Sequence, residues 1–225
     1  MDVAAKNKID SNFKILPPET KRAFVFLSQQ PWLANSNWYL AGGTALALQV
    51  GNRKSVDLDF FTTDRDFDKT ELLGNFSDNT GWQTTLDKKN TIYGELFGAK
   101  ISFIAYPFFV PKQTFVQYGT INVLAPLDIA VMKIVAVSQR GKKRDFFDLY
   151  WCAKKIESLD NLIKKLKEQY PSVAHDYNHI LKSLVYFADA ESDPEPEIYF
   201  ETSWKEIKTF FEKEIPRITT ELIGL

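Results

Sequence analysis

The chain has one cysteine, Cys152, in 225 residues. That excludes an intramolecular disulfide and leaves no spacing for a zinc site. Net charge is equally scarce: 28 Lys and Arg against 29 Asp and Glu leave −1, with a pI of about 6.2. A chain this balanced has no global attraction for nucleic acid, so any such contact must come from a local basic patch. No apolar run approaches membrane-spanning length. The opening MDVAAKNKID lacks a signal-peptide core, so a cytoplasmic location and no membrane partner are expected. No internal repeat is visible. What remains is an ordinary soluble composition, 44% hydrophobic and 25% charged, whose 18 Phe promise a sizeable core. The length suits one large domain or two small ones.

Local pattern divides the chain near residue 125. Residues 1–16 read as loosely ordered. Pro17-Pro18 lead into a helix over Glu19–Gln30. A short buried strand is predicted at Trp38–Ala41, a helix at Thr44–Val50 and a second strand at Val56–Phe61. Asp68 reads as the cap of a helix through Phe76, with Glu71 as capping-box partner. Strands follow at Trp82–Asp87, Thr91–Phe97, Lys100–Ala105 and Ile121–Leu124, with turns at Asn90 and Gly98-Ala99. From Pro126 the pattern is helical: Leu127–Gln139, Arg144–Lys155, Leu159–Gln169, Val173–Ala190 and Trp204–Leu222. The last is expected to bend or break at Pro216, and the acidic, proline-broken 191–197 is a loop. The expected architecture is α+β: a strand-rich domain over 1–125, a helical domain over 126–225 and a cleft between them.

One stretch, GGTALALQVGNRKSVDLDFF from Gly42 to Phe61, resists explanation as packing alone. Gly42-Gly43-Thr44 sits between an apolar strand and an apolar helix, so it reads as a tight turn into a helix start. Helix starts leave unpaired N–H groups that suit phosphate, and glycine allows close approach to the backbone. In Val56-Asp57-Leu58-Asp59-Phe60-Phe61, alternation puts Asp57 and Asp59 on one face. Adjacent carboxylates on a largely buried strand repel unless a divalent cation lies between them, and hard oxygen ligands suit Mg²⁺. Either half alone is ambiguous, since most Gly-Gly pairs are turns and many Asp-x-Asp pairs are solvated strand ends. Together, with Arg53 and Ser55 just ahead of the carboxylates, they match what metal-assisted phosphoryl or nucleotidyl transfer requires.

The same stretch resembles the first motif of the nucleotidyltransferase AbiEii/AbiGii toxin family, within the polymerase-beta-like nucleotidyltransferase superfamily. The segment PLDIAVMKIVAVSQRGKKRDFFDLYW resembles that family's helical motifs. The resemblance spans roughly residues 35–155, and the final third carries no recognised motif. It implies a nucleotidyltransferase-like mixed β-sheet with flanking helices, followed by a helical domain. It also implies dependence on Mg²⁺ or Mn²⁺ held by Asp57 and Asp59. The triphosphate of a nucleoside triphosphate would be held by Gly42, Gly43, Thr44 and Ser55, with Arg53 or Lys133 stabilising its charge. A hydroxyl acceptor on RNA and a cognate antitoxin are the implied partners. Superfamily members often carry a third acid on a later strand, where this chain offers Ser102. If Gly98-Ala99 is the two-residue hairpin loop, Glu95 pairs with Ser102 and stands beside it; a one-residue slip removes that arrangement.

Lys133 lies in a helical stripe of Ile129, Ala130, Ala136 and Val137, with Arg140 two turns on. Pattern alone leaves it either snorkelling outward or facing the cleft; the family's helical lysine favours contact with nucleotide phosphates. Asp145 and Asp148 share a face of an otherwise apolar helix and need partners. They either brace the helices through ion pairs or act in catalysis, with Asp145 the preferred functional choice. The run Gln139–Arg144 is either a solvated loop or a reach toward triphosphate or RNA. Two other functions stay open: a nucleotide-binding regulatory module with little or no catalysis, which Ser102 favours, and a small-molecule, antibiotic-type nucleotidyltransferase.

Overall fold

The computed structural model describes residues 9–76 and 81–223, the last two as backbone alone. The chain divides into two compact units, Met1–Ala125 and Pro126–Leu225.

The first unit is built on a seven-stranded mixed sheet of order β3-β4-β5-β2-β1-β7-β6. The strands are β1 Tyr39–Ala41, β2 Leu58–Thr62, β3 Gln83–Lys88, β4 Thr91–Leu96, β5 Ala99–Ala105, β6 Val116–Tyr118 and β7 Ile121–Val123. The pairs β1–β7 and β2–β5 are parallel, and the others are antiparallel. The inner face is hydrophobic by alternation: Leu58, Phe60, Ile92, Leu96, Phe103 and Val123 are fully buried. Phe103 is its hub, stacked on Phe60 and in ring contact with Trp32, Trp38, Phe76 and Trp82. Helix α1 (Pro18–Leu27) contributes Ala23, Phe24 and Leu27 to this core, and α2 (Pro31–Ala34) contributes Leu33. Helix α3 (Gly42–Val50) follows β1 directly and buries Thr44 through Gln49.

Strand and helix bounds in this unit differ from the sequence reading by up to three residues, and two larger differences have physical causes. Residues 9–16 are packed, not loose: Ile9, Ile15 and Leu16 are buried, and Asn12 donates 2.9 Å to the Leu48 carbonyl. The Tyr118 hydroxyl donates 2.6 Å to Asp10, tying β6 to this segment; residues 1–8 lie outside the described residues. Strand β6 was invisible because three residues are too few to show alternation. Asp68 caps α4 (Lys69–Gly74) by accepting from the Thr70 and Glu71 N–H groups.

The second unit is helical: α5 Pro126–Arg140, α6 Lys143–Lys155, α7 Leu159–Lys164, α8 Leu166–Gln169, α9 Tyr177–Ser183, α10 Ala188–Glu191 and α11 Trp204–Ile223. Phe146 lies at the centre of its core, against Phe187, Trp204 and Phe211. The single helix expected over 173–190 is two short ones. Asp176 caps α9 by accepting from the His179 N–H, and His175 Nε2 lies 3.1 Å from the Leu166 carbonyl, which holds the preceding loop. The helix expected over 159–169 is likewise split at Lys165. Pro216 does not end α11. Pro216 and Glu212 are both exposed, so water can take the hydrogen bond that the Glu212 carbonyl loses to the proline. Among the described residues no helix is long and apolar enough to cross a membrane.

Candidate functional site

The turn between β1 and α3 uses its two glycines differently. Gly42 adopts φ +73°, a left-handed conformation that a side chain would strain, and a Cβ there would sit 3.0 Å from Asp59 Oδ2. Gly43 makes room for a cation: its Cβ would lie 2.2 Å from an Arg53 guanidinium nitrogen and 3.1 Å from Ser55 Oγ. Arg53 is 4% exposed and donates 2.9 Å to the Lys54 carbonyl. The Thr44 hydroxyl donates to the Asp57 carbonyl and lies 2.8 Å from Ser55 Oγ. Thr44 thereby fixes the helix start to the approach of β2, and its side chain is engaged within the fold. Thr20 adds a second tie, donating 2.8 Å to the Val56 carbonyl.

Asp57 directly precedes β2 and Asp59 lies within it. Both are half-buried, while Leu58 and Phe60 are fully buried on the other face. Asp59 stands opposite Ala41 on β1 and Ser102 on β5. Ser102 donates 2.7 Å to Asp59 Oδ1, so this position on β5 sets a neutral donor, not a third acid, against the second carboxylate. Among the described residues no three His, Cys, Asp or Glu side chains gather as a metal site. Two carboxylates with one exposed side suit Mg²⁺, which is commonly held by one or two carboxylates together with substrate phosphates.

Glu95 does not support Ser102. The β4–β5 turn is Phe97-Gly98, with φ +55° and +83°, so Glu95 pairs with Lys100 and Tyr93 pairs with Ser102. The signal was present in the sequence: glycine in the second turn position is the two-residue hairpin preference, which places the turn one residue earlier. With that register, Tyr93 would have been read as the neighbour of Ser102.

In the second unit, Lys133, Asp145 and Asp148 meet. Lys133 Nζ lies 2.7 Å from Asp145 Oδ1 and 2.7 Å from Asp148 Oδ2, with Lys133 4% exposed and both acids at 0%. Arg140 grips Asp145 through two bonds, Nε at 2.8 Å and Nη2 at 3.1 Å. Burial pushes the Asp145 carboxyl up, but the Lys133 and Arg140 charges outweigh it and hold the group well below the usual carboxylate range. Burial, and then the Asp148 charge, push the Cys152 thiol far up, so it is no nucleophile. The basic run is likewise engaged. Lys142 pairs with Asp193 at 3.0 Å, and the Lys143 amine donates 2.7 Å to the Asp193 carbonyl. The Asp193 carboxylate also accepts 3.0 Å from the Lys143 N–H, capping α6 from fifty residues away.

A mixed sheet with a glycine turn into a helix, beside a strand that carries Asp59 and is directly preceded by Asp57, is the arrangement of a nucleotidyltransferase-like fold. A family model described as nucleotidyl transferase AbiEii toxin, type IV toxin–antitoxin system, matches residues 30–92 and 92–219. The chain belongs to this family and is a nucleotidyltransferase of the toxin type. The family implies a nucleoside triphosphate substrate and an antitoxin, and generally uses a divalent metal. An uncharacterized protein of Aquifex aeolicus (strain VF5) is 35% identical over 187 residues, 80% of this chain and 87% of that one. Two solved structures share the fold. MenT4, a nucleotidyltransferase toxin of Mycobacterium tuberculosis H37Rv, matches with TM-score 0.55 and 17% identity over 97% of this chain and 89% of its own. A protein of H. pylori assigned as a nucleotidyltransferase matches with TM-score 0.51 and 19% identity over 100% and 98%.

Proposed function

We propose that the protein transfers a nucleotide from a nucleoside triphosphate to a hydroxyl on RNA, in an Mg²⁺- or Mn²⁺-dependent reaction in the cytoplasm that its antitoxin restrains. The acceptor oxygen bonds to the α-phosphorus, the bond from that phosphorus to the bridging oxygen breaks, pyrophosphate leaves and the hydroxyl proton passes to solvent. The observation that carries this reading is the turn pressed against Asp59: Gly42 leaves only 3.0 Å between a notional Cβ and Oδ2. That brings a helix start, suited to phosphate, directly beside a carboxylate suited to metal. Asp57 and Asp59 are assigned to the metal. Bound there, the ion would neutralise charge on the triphosphate. The backbone of Gly42, Gly43 and Thr44, with Ser55, is assigned to the phosphates, and Arg53 to charge that develops on them. Lys133 and Asp145, expected at the nucleotide, are assigned to bracing, because the Lys133 amine already faces two buried carboxylates. With Ser102 in place of an acid, turnover is slow.

The test is incubation of the purified protein with each labelled nucleoside triphosphate, Mg²⁺ and total RNA. Labelled RNA and released pyrophosphate are expected, both abolished in Asp57→Ala and in Asp59→Ala. Expression without the antitoxin should slow bacterial growth, and Asp57→Ala should relieve it. If none of the four nucleotides labels RNA and Asp57→Ala inhibits growth like the parent, the RNA-modifying reading is wrong.

A further inference from the structure

The hydrogen-bonded register places one row of side chains across five strands. Ala41 pairs with Asp59, Asp59 with Ser102, Ser102 with Tyr93 and Tyr93 with Leu86. Directly paired residues point to the same face, so Asp59, Ser102, Tyr93 and Leu86 share one. Ser102 is buried at 2%, but Tyr93 is 40% exposed and Leu86 39%. At the usual strand spacing, Tyr93 stands about 10 Å from Asp59 along the row. Lys100, two residues before Ser102 on β5, is exposed on the same face, and its cross-strand mate is Glu95.

The hairpin carrying this row is held from behind. Trp82 lies over Gly94 on the opposite face, where a Cβ would come within 2.3 Å of its ring. Trp82 also stacks on Phe76, with ring centroids 4.5 Å apart. Tyr93 thus projects from a fixed strand on the face that carries the carboxylates. An exposed aromatic offers a face on which a nucleic-acid base can stack, and Lys100 stands one pair along the same face, beside Glu95.

We propose that Tyr93 is the acceptor platform of the site. The end of a single-stranded RNA stacks a base on Tyr93, along Leu86, with a backbone phosphate at Lys100, and its terminal hydroxyl reaches the row of Asp59 and Ser102. This rests on the nucleotidyl-transfer reading above and adds which side of the carboxylates the acceptor approaches from: the β4 side, across Ser102.

The full chain is titrated with a short single-stranded RNA carrying a fluorescent base analogue at its terminal position, without nucleotide. The parent should bind and quench the probe. Tyr93→Thr, which keeps a residue suited to a strand, should weaken binding by about tenfold, and Tyr93→Phe, which keeps the ring, should bind like the parent. Asp57→Asn should bind RNA normally while losing transfer. In turnover, Tyr93→Thr should raise KM for RNA and leave KM for nucleotide unchanged. Equal RNA binding by parent and Tyr93→Thr, no RNA binding by the parent, or transfer to a protein hydroxyl instead overturns the platform. Transfer to RNA with an unchanged KM for RNA in Tyr93→Thr sinks the platform and spares the reaction. Tyr93-dependent binding with no transfer does the reverse.

Discussion

The two units each present a pair of aspartates close in sequence, and the fold treats the pairs in opposite ways. Asp57 and Asp59 flank a buried leucine and keep part of their surface open, and Asp59 lies beside the turn where Gly42 takes a left-handed φ. Asp145 and Asp148 are fully buried and locked to Lys133, with Arg140 closing over Asp145. A carboxylate with an open side can exchange ligands during a reaction cycle. One committed to fixed cations in the interior stabilises only while its partner stays, because removing either side strands a buried charge. Proximity of acids in sequence therefore says little about role; what decides it is whether the fold supplies the counter-charge itself.

Removing Asp57 or Asp59 should cause the largest effect on activity, a fall in transfer of more than about 100-fold with little change in melting temperature. Lys133→Ala should do the opposite. It removes the cation that both buried acids share, so stability should drop by about 3–5 kcal/mol, while nucleotide affinity of the folded protein holds. Thermal melting and nucleotide titration of the same sample decide it; an unchanged melting temperature with lost affinity would return Lys133 to the phosphates. The brace also has a pH signature. Because the Asp145 carboxyl is held low in the folded state, its contribution is complete above about pH 4, the unfolded value, and fades as pH falls below that. A smaller effect is expected at the boundary of the comparison. Ser102→Asp adds a third acid beside Asp59 and should raise metal-dependent turnover, whereas Ser102→Ala removes one hydrogen bond to a carboxylate, worth about 2 kcal/mol.

The candidate site was legible where the argument rested on alternation and on glycine. Asp57, Asp59 and the Gly42-Gly43 turn follow from strand period and turn chemistry, and so did most elements of the sheet. Ser102 was recognised as a departure, but its bond to Asp59 depends on the parallel pairing of β2 with β5, which joins residues 43 apart and leaves no local trace. The Glu95 arrangement failed on one residue of register, which moved Tyr93 into that row. Lys133 shows the limit most clearly. An apolar stripe cannot report that two acids from the next helix will meet the amine, so bracing and phosphate contact read alike.

The most direct test of the contrast is calorimetry of Mn²⁺ or Mg²⁺ binding, with and without nucleoside triphosphate. The parent and Lys133→Met should bind metal weakly alone and more tightly with nucleotide, and Asp57→Asn/Asp59→Asn should lose the nucleotide-dependent site. Unchanged metal binding in the double variant, or its loss in a folded Lys133→Met, would contradict the assignment of the two aspartate pairs.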